Sequence, residues 1–246
     1  MLITSLQNQY IKQLVKLKQK KYRDEDQLFI IEGFHLVEEA MLAGVVDKLI
    51  LRIGIEYSKT FEDVIYVSDE VMKKLTSTVS LVDIAAVCHY IEPKKTLGDH
   101  IVMLDDLQDP GNVGTIVRTA LSFGYDDIIL SNNSVDIYNE KLIRSSQGAI
   151  FKANIFHDNL LPLIAAFKQK GYVIYGTSLH NGVSLSKIKQ KTKMVLIFGN
   201  EGQGISHEVL LNTDTNIFIE IKNFESLNVA VAAGICLYEL RADNLD

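Results

Sequence analysis

The sequence is poor in several residue types on which specialised classes of protein depend. Its 246 residues include no tryptophan, three prolines and two cysteines. Because Cys88 and Cys236 lie far apart in apolar runs, we expect neither a disulfide framework nor a zinc site, but reduced core residues in the cytoplasm. The six histidines show no metal-ligand spacing, so we expect no metal site. No apolar run approaches the roughly 20 residues of a membrane span, and residues 1–12 lack the order of a signal peptide, so we expect no membrane association.

Positive charge is also scarce, because 31 acidic residues outnumber 25 basic ones and the net charge is −6. Such a balance argues against a protein that coats nucleic acid without specificity. Residues 1–23 are the exception, since their apolar spacing predicts an amphipathic helix and they contain no Asp or Glu. The basic residues of this segment are Lys12, Lys16, Lys18, Lys20, Lys21 and Arg23. It is either a docking arm for phosphates or an ordinary solvated helix face.

Strand and helix patterns alternate along the chain in two stretches, which predicts an α/β protein with two domains. The first stretch contains strands such as LFIIE and KLILR, and it ends in the polar stretch at residues 92–100, which we interpret as a linker. After it, continuously apolar strands such as MVLIF are typical of a parallel sheet that helices cover on both faces. We therefore predict a small α/β domain at residues 1–95 and a parallel-sheet domain at residues 98–246.

The stretch LDDLQDPGNVGTIVRTALSFG, residues 104–124, leads from a predicted strand into an amphipathic helix. Asn112 is predicted to be the N-cap of this helix. Arg118 lies on a polar stripe with Thr115 and Ser122, opposite the apolar side of the helix. We interpret the aspartates before the turn as solvated residues at the strand end. The stretch is either a corner that binds phosphate or a capped helix with a surface arginine.

Two further strand ends carry unusual sequences. In FGNEGQGIS, residues 198–206, three glycines permit a sharp turn and a close approach of backbone to a ligand, and Glu201 can accept hydrogen bonds. In ESLNVAVAAGICLYE, residues 225–239, Ser226 and Asn228 precede a helix that begins with small residues. The alternatives are a flexible connection for the former and a helix cap with tight core packing for the latter. Because the carboxyl ends of parallel strands share one edge of a sheet, the three corners together predict a composite pocket.

In this order, PGNVGTIVRTA, FGNEGQGIS and ESLNVAVAAGICLYE resemble the three motifs of the SpoU (TrmH-like) branch of the SPOUT RNA methyltransferases. The resemblance covers residues 100–241, and ITSLQNQYIKQL with LFIIEGFHLVEEA is similar, more weakly, to the substrate-binding domain of the ribosomal-RNA members. It implies transfer of a methyl group from S-adenosyl-L-methionine to a ribose 2′-hydroxyl, with large-subunit ribosomal RNA as the favoured substrate. It also implies a homodimer, a trefoil knot in the C-terminal domain and an RNA-binding N-terminal domain.

The resemblance assigns roles to individual residues. Arg118 matches an arginine that is held to be essential in the family and has been proposed as the base. A protonated guanidinium has no acceptor, so we expect Arg118 instead to hold the phosphate beside the target ribose and to stabilise charge on O2′. Asn112, Glu201, Ser226 and Asn228 are expected to complete the catalytic site. The cofactor is expected to contact Thr177, Leu179, Gly199, Ile219, Ile221 and Leu227, and RNA to contact Lys12, Lys16, Lys20 and Arg23.

Other functions stay open at this point. A transfer-RNA substrate fits the same motifs, and a retained fold without catalysis would serve as an RNA-binding ribosome-assembly factor. Cofactor binding would separate the assembly factor from an enzyme. A dinucleotide-dependent oxidoreductase is disfavoured, because the chain lacks G-x-G-x-x-G and a suitably placed acidic residue about 20 positions later.

Overall fold

The computed structural model describes residues 1–178, 182–189, 191–223 and 225–242. The chain divides into two compact units. The first unit consists of Met1–Glu92 and Tyr138–Phe151, and the second of Pro93–Ile137 and Lys152–Asp246. None of the helices in the described ranges is long and apolar enough to cross a membrane.

A five-stranded mixed sheet forms the centre of the first unit, in the order β1-β4-β3-β5-β2. Ile11, Leu14 and Leu17 are buried against it in one apolar core with Ile50 and Val67. The predicted strands and helices are confirmed, but a second helix, α2, follows the predicted first one. The elements are β1 (Leu2–Ile3), α1 (Gln9–Lys16), α2 (Lys20–Asp26), β2 (Leu28–Glu32), α3 (Phe34–Leu42), β3 (Val46–Arg52), β4 (Val64–Val67), α4 (Asp69–Leu75) and β5 (Ile84–His89).

The second unit contains a seven-stranded sheet whose recorded pairings are all parallel, in the order β10-β12-β9-β11-β6-β7-β8. This confirms the predicted parallel sheet, and the central strand β11 is buried along its whole length. From residue 100 onward the elements are β6 (His100–Asp105), α5 (Pro110–Ser122), β7 (Asp127–Ser131), α6 (Glu140–Ser146), β8 (Asn154–Asp158), α7 (Leu160–Gln169), β9 (Val173–Thr177), β10 (Val183–Ser184), β11 (Met194–Gly199), α8 (His207–Leu211), β12 (Thr215–Phe218) and α9 (Val229–Glu239). Helix α6 belongs to the first unit.

The stretch interpreted as a linker is attached to the second unit by buried polar side chains. Asp127, which is 5% exposed, accepts the backbone N–H of Gly98 at 2.6 Å. Asn154 accepts the N–H of Lys94 at 2.8 Å and donates to Asp127 at 2.6 Å. Residues 94–98 are therefore held at the amino ends of β7 and β8, the edge of the sheet opposite the predicted pocket.

The segment Tyr138–Phe151 packs within the first unit. The ring of Tyr138 stacks on Tyr90, with centroids 3.8 Å apart, and lies 4.6 Å from the ring of Phe29. Arg144 pairs with Glu32 at 3.1 Å, and the Glu32 side chain is only 9% exposed. The predicted domains, 1–95 and 98–246, are each continuous in sequence, so the prediction did not place this segment in the first unit. Stacking and ion pairing between residues far apart in the chain leave no local pattern in the sequence.

We expect Arg144→Ala to lower the free energy of unfolding by about 1–3 kcal/mol, because it leaves the enclosed Glu32 carboxylate without its cationic partner. Denaturant titration of the full chain measures this loss. Lys21→Ala is the matched control, since the Lys21–Glu25 pair is 3.8 Å long and exposed, and such pairs contribute about 0–1 kcal/mol. Equal losses in the two variants would contradict the stabilising role of Arg144.

Candidate active site

The first corner joins the end of β6 to the start of α5. Asp109, not Asn112, is the N-cap of α5, because its carboxylate accepts the N–H of Asn112 at 2.9 Å. The prediction was wrong by three residues: Asp is a strong N-cap, and Pro110 suits the first helical position because it has no N–H to satisfy. The side chain of Asn112 is therefore not used in capping and can bond to the other corners.

The glycine loop, which we define as residues 199–206, forms the second corner. Asn200 shapes it, since its side-chain oxygen accepts the N–H groups of Gly202 at 2.9 Å and Gln203 at 3.2 Å. The loop folds so tightly that a Cβ on Gly199 would lie 2.1 Å from the carbonyl carbon of Gly204. Only glycine therefore fits at position 199. The loop is a compact turn, and not the flexible connection that the sequence left open as an alternative.

At the third corner, Asn228 caps α9 and also reaches the first corner. Its side-chain oxygen accepts the N–H groups of Ala230 at 2.9 Å and Val231 at 3.3 Å. This arrangement directs its Nδ2 toward Asn112, whose Oδ1 accepts a hydrogen bond at 3.1 Å. Asn228 is therefore both a helix cap and a member of the predicted site.

Glu201 joins the glycine loop to the same network. Its Oε1 accepts hydrogen bonds from Asn112 Nδ2 at 3.1 Å and from the N–H of Asp109 at 3.3 Å. The three corners are thus connected in one direction, from the N–H groups of α9 through Asn228 and Asn112 to the Glu201 carboxylate. Because every member donates toward Glu201, the network fixes the orientation of both amide side chains.

A cavity of about 450 Å³ lies between the second and third corners. This volume is within the range of about 300–1,000 Å³ that is usual for sites of small ligands and cofactors. Glu201 and Glu225 contribute the acidic side chains, and the described lining includes no Lys or Arg. Of the residues predicted for the site, the lining includes Thr177, Gly199, Glu201, Ile219, Ile221, Ser226 and Leu227. Leu179 lies outside the described residues.

Several lining residues were not predicted from the sequence, among them Ser178, Val229, Ala232 and Cys236. The run of small residues at the start of α9 was a signal for Ala232, because it indicated a surface that another group approaches closely. Burial raises the pKa of the Cys236 thiol to about 12. Cys236 is therefore a neutral wall of the cavity at physiological pH and not a nucleophile. The hydroxyl of Thr177 donates to the Ile197 carbonyl at 3.0 Å, so it supports the sheet.

Arg118 lies outside this network. It is exposed on α5 with Thr115 and Ser122, as the helical stripe predicted, and it lies six positions after Asn112, about 9 Å along the helix. Among the described residues, no hydrogen bond or ion pair joins its guanidinium to another side chain, and it is not part of the cavity lining. The structure thus brings together Asn112, Glu201 and Asn228, and leaves Arg118 free for a ligand in solvent.

The four basic residues predicted to contact RNA fall into two groups. Lys12 and Lys16 are exposed on α1, and Lys20 is exposed on α2, where it pairs with Asp24. Arg23 is only 7% exposed and donates to the Leu17 carbonyl at 2.8 Å. The buried position of Arg23 argues against the predicted RNA contact, because the separate helix α2 turns this side chain inward to hold the end of the preceding segment.

No group of three or more His, Cys, Asp or Glu in the described part of the chain could hold a metal ion. The site therefore consists of a cavity with both apolar and polar walls, two carboxylates, an oriented amide network and a separate exposed arginine. Such a set can bind an organic ligand that carries positive charge, and it can position a second ligand beside it.

The sequence of this chain is similar to known protein families along most of its length. A family model described as the SpoU rRNA Methylase family matches residues 99–238, and one described as an MRM3-like substrate binding domain matches residues 8–86. The 23S rRNA (guanosine(2553)-2′-O)-methyltransferase RlmP of Bacillus subtilis strain 168 is 38% identical over 97% of this chain and 98% of that protein.

Solved structures agree in fold over nearly the whole chain. A putative RNA methyltransferase of the TrmH family from Porphyromonas gingivalis is 32% identical, with a TM-score of 0.86 over 96% of this chain and 98% of that one. An AdoMet-bound rRNA methyltransferase from Sinorhizobium meliloti is 28% identical, with a TM-score of 0.86 over 98% and 97% of the two chains. Together with the family match and the joined motifs, these likenesses show that the chain belongs to the SpoU rRNA methylase family.

Proposed function

We propose that this protein is an S-adenosylmethionine-dependent RNA methyltransferase that methylates a ribose 2′-hydroxyl in large-subunit ribosomal RNA. The observation that carries the proposal is the hydrogen-bonded joining of all three motifs, through Asn112, Glu201 and Asn228, beside a cavity of about 450 Å³. The Bacillus subtilis relative acts, by its name, on guanosine 2553 of 23S rRNA, and the corresponding guanosine is the first candidate substrate.

The cavity fits the cofactor in shape and in charge. Its walls include the apolar side chains of Ile219, Leu227 and Val229, which suit the faces of an adenine ring. The tight glycine loop brings backbone groups to the surface of the cavity, where they can hydrogen-bond the ring edge and the ribose. Two carboxylates without a basic residue in the described lining favour a ligand of net positive charge. S-adenosylmethionine, when bound, supplies a methyl group on a positively charged sulfur.

The chain's own residues would chiefly orient the RNA. Positioning of reactants can contribute roughly 7–11 kcal/mol to lowering a barrier. Arg118, with its free fork of N–H donors, would grip the phosphate beside the target ribose and stabilise negative charge that develops on O2′. The network of Asn112, Glu201 and Asn228 would fix the relative placement of the corners. The hydroxyl of Ser226, on the cavity wall, would hydrogen-bond the target ribose of the RNA.

A direct assay tests this function. Purified protein, tritiated S-adenosylmethionine and a fragment of 23S rRNA that contains the candidate guanosine are expected to yield labelled RNA, with the label on a ribose 2′-oxygen. Labelling of transfer RNA alone would indicate the other substrate class. Binding of rRNA with no binding of the cofactor in calorimetry would indicate a non-catalytic assembly factor and contradict the proposal.

We infer that the lysines of α1 supply RNA affinity. Replacing both Lys12 and Lys16 with alanine is expected to weaken RNA binding and to reduce the slope of log K against log salt by about 1–2, because each phosphate contact releases bound counterions. Fluorescence anisotropy at several salt concentrations measures this slope. Lys170 and Lys187, both exposed in the second unit, serve as the control pair. An equal change in the control pair would mean that net charge, not the α1 surface, governs binding.

We also infer that the enzyme is a homodimer and that its C-terminal domain is knotted, as in the family. The support for the dimer is an exposed apolar stripe on α9, where Val231 is 52%, Ile235 39% and Tyr238 56% exposed. Ile235→Glu is expected to convert the dimer to a monomer in analytical ultracentrifugation, because a self-complementary interface would bury two added charges. Leu211→Glu, at another exposed apolar residue, is expected to leave the dimer intact. A wild-type monomer would contradict the inference.

A further inference from the structure

Asp105, the last residue of β6, does not behave as a solvated strand-end residue. Asp105 is only 6% exposed, and it pairs in register with Gly199 of the neighbouring strand β11. Its Oδ2 accepts the backbone N–H of Ser206 at 2.8 Å. The interpretation as strand-end solvation was therefore wrong for Asp105, because its carboxylate turns inward to the far end of the glycine loop.

The near end of the glycine loop is attached to the same strand end. The side chain of Asn200 donates to the carbonyl of Asp106 at 2.8 Å. Asp106 adopts a left-handed conformation, with φ of 57°, and its N–H donates to the Ser131 hydroxyl at 2.9 Å. The loop is thus attached at both ends to one rigid corner, and Glu201 lies between the two attachments.

A loop with three glycines in six positions loses much conformational freedom when it is ordered. Two anchors restrict the loop before any ligand binds. A carboxylate is a stronger acceptor for a backbone N–H than a neutral oxygen, and a buried carboxylate that lost this donor would be costly. The attachment at Asp105 therefore holds the loop in one shape.

We propose that Asp105 is a positioning residue of the active site: by binding the Ser206 N–H, it keeps the glycine loop in the shape that forms the cavity wall and presents Glu201 to Asn112. This role rests on the proposed cofactor-dependent function. Asp105 contacts the cavity only through the loop, so its effect appears in ligand affinity and in loop order.

The chain contains a matched control for the loss of a buried carboxylate. Asp127 lies in the same sheet, is 5% exposed and accepts a backbone N–H, from Gly98, at 2.6 Å. It lies at the amino end of β7, the edge of the sheet away from the cavity. Asp127→Ala therefore removes a similar N–H interaction, and the hydrogen bond from Asn154 as well, without changing the glycine loop.

Two measurements test the proposal, and the first needs no cofactor. In hydrogen–deuterium exchange of the cofactor-free protein, Asp105→Ala is expected to speed exchange at residues 201–205, whereas Asp127→Ala is not. In calorimetry, Asp105→Ala is expected to raise the Kd for S-adenosylmethionine at least ~10-fold, equivalent to about 1.4 kcal/mol, whereas Asp127→Ala changes it less than ~2-fold. Asp105→Asn is expected to restore most of the affinity, because its amide oxygen can accept the same N–H.

A second variant, which removes the N–H of Ser206 that donates to Asp105, tests the proposal if Asp105→Ala does not fold. Ser206 has φ of −57°, close to the value that proline fixes, so Ser206→Pro removes the N–H while keeping this dihedral angle. It is expected to give the same faster exchange and weaker binding. Wild-type exchange and affinity in either folded variant would overturn the proposal, as would an equal loss of affinity in Asp127→Ala. Failure of the wild-type protein to bind the cofactor would instead overturn the proposed function, and the exchange experiment would still decide whether Asp105 orders the loop.

Discussion

Replacing Arg118 with alanine is expected to reduce the single-turnover rate of methyl transfer about 100- to 1,000-fold, the loss that follows removal of a donor aimed at developing charge. Binding of S-adenosylmethionine is expected to stay within ~2-fold of wild type, because Arg118 is exposed on α5 and is not part of the cavity lining. Rapid-quench kinetics with rRNA and calorimetry with the cofactor measure the two quantities separately.

Two further variants separate charge from geometry at this position. Arg118→Lys keeps the positive charge but loses the planar fork that grips a phosphate through two N–H groups, so most of the rate loss is expected to remain. Ser122→Ala, on the same exposed stripe, is expected to behave like wild type. A near-normal rate in Arg118→Lys would contradict the bidentate contact with a phosphate. A loss of cofactor affinity in Arg118→Ala would mean that Arg118 contacts S-adenosylmethionine and not the RNA.

Gly199→Ala is expected to weaken binding of S-adenosylmethionine about 100-fold, which corresponds to about 2.7 kcal/mol and lies at the upper end of the usual cost of overpacking. The added Cβ would lie 2.1 Å from both the Gly204 carbonyl carbon and the Ile205 nitrogen, so the backbone of the glycine loop must move. Calorimetry measures the affinity, and thermal unfolding reports whether the rest of the fold persists.

Gly202→Ala is the matched control within the same loop. Its added Cβ would meet only the Asn200 side-chain oxygen, at 3.7 Å, which is an ordinary contact distance. We expect the affinity of this variant to remain within ~3-fold of wild type, equivalent to less than about 1 kcal/mol. Equal effects at positions 199 and 202 would mean that general loop flexibility, and not the close backbone approach at Gly199, governs binding.

The fold could be predicted from the sequence where the signal is local. Continuously apolar segments such as β11 indicated buried parallel strands, and the carboxyl-edge rule then brought the three motifs to one place. The stripe that exposes Arg118 also followed from helical spacing. The extra helix α2 was not predicted, so Arg23 was assigned to the surface although its side chain is buried.

The features that could not be predicted depend on contacts between residues far apart in the sequence. Asp105 meets Ser206 across 101 positions, and Glu201 meets Asn112 across 89. No spacing rule distinguishes an aspartate that solvates a strand end from one that turns inward to hold a loop. The choice of Asp109 over Asn112 as the cap of α5 was local, however, and the Asp-Pro pair was a usable signal for it.

The most direct test of the proposed function is a map of 2′-O-methylated riboses in total RNA from cells with and without this gene. Methylated riboses resist alkaline cleavage, so each lost modification appears as a new cleavage position. We predict the loss of one site in large-subunit rRNA, restored by the wild-type gene but not by a gene encoding Arg118→Ala. An unchanged methylation pattern in every RNA, with the gene expressed in the parent cells, would contradict the account.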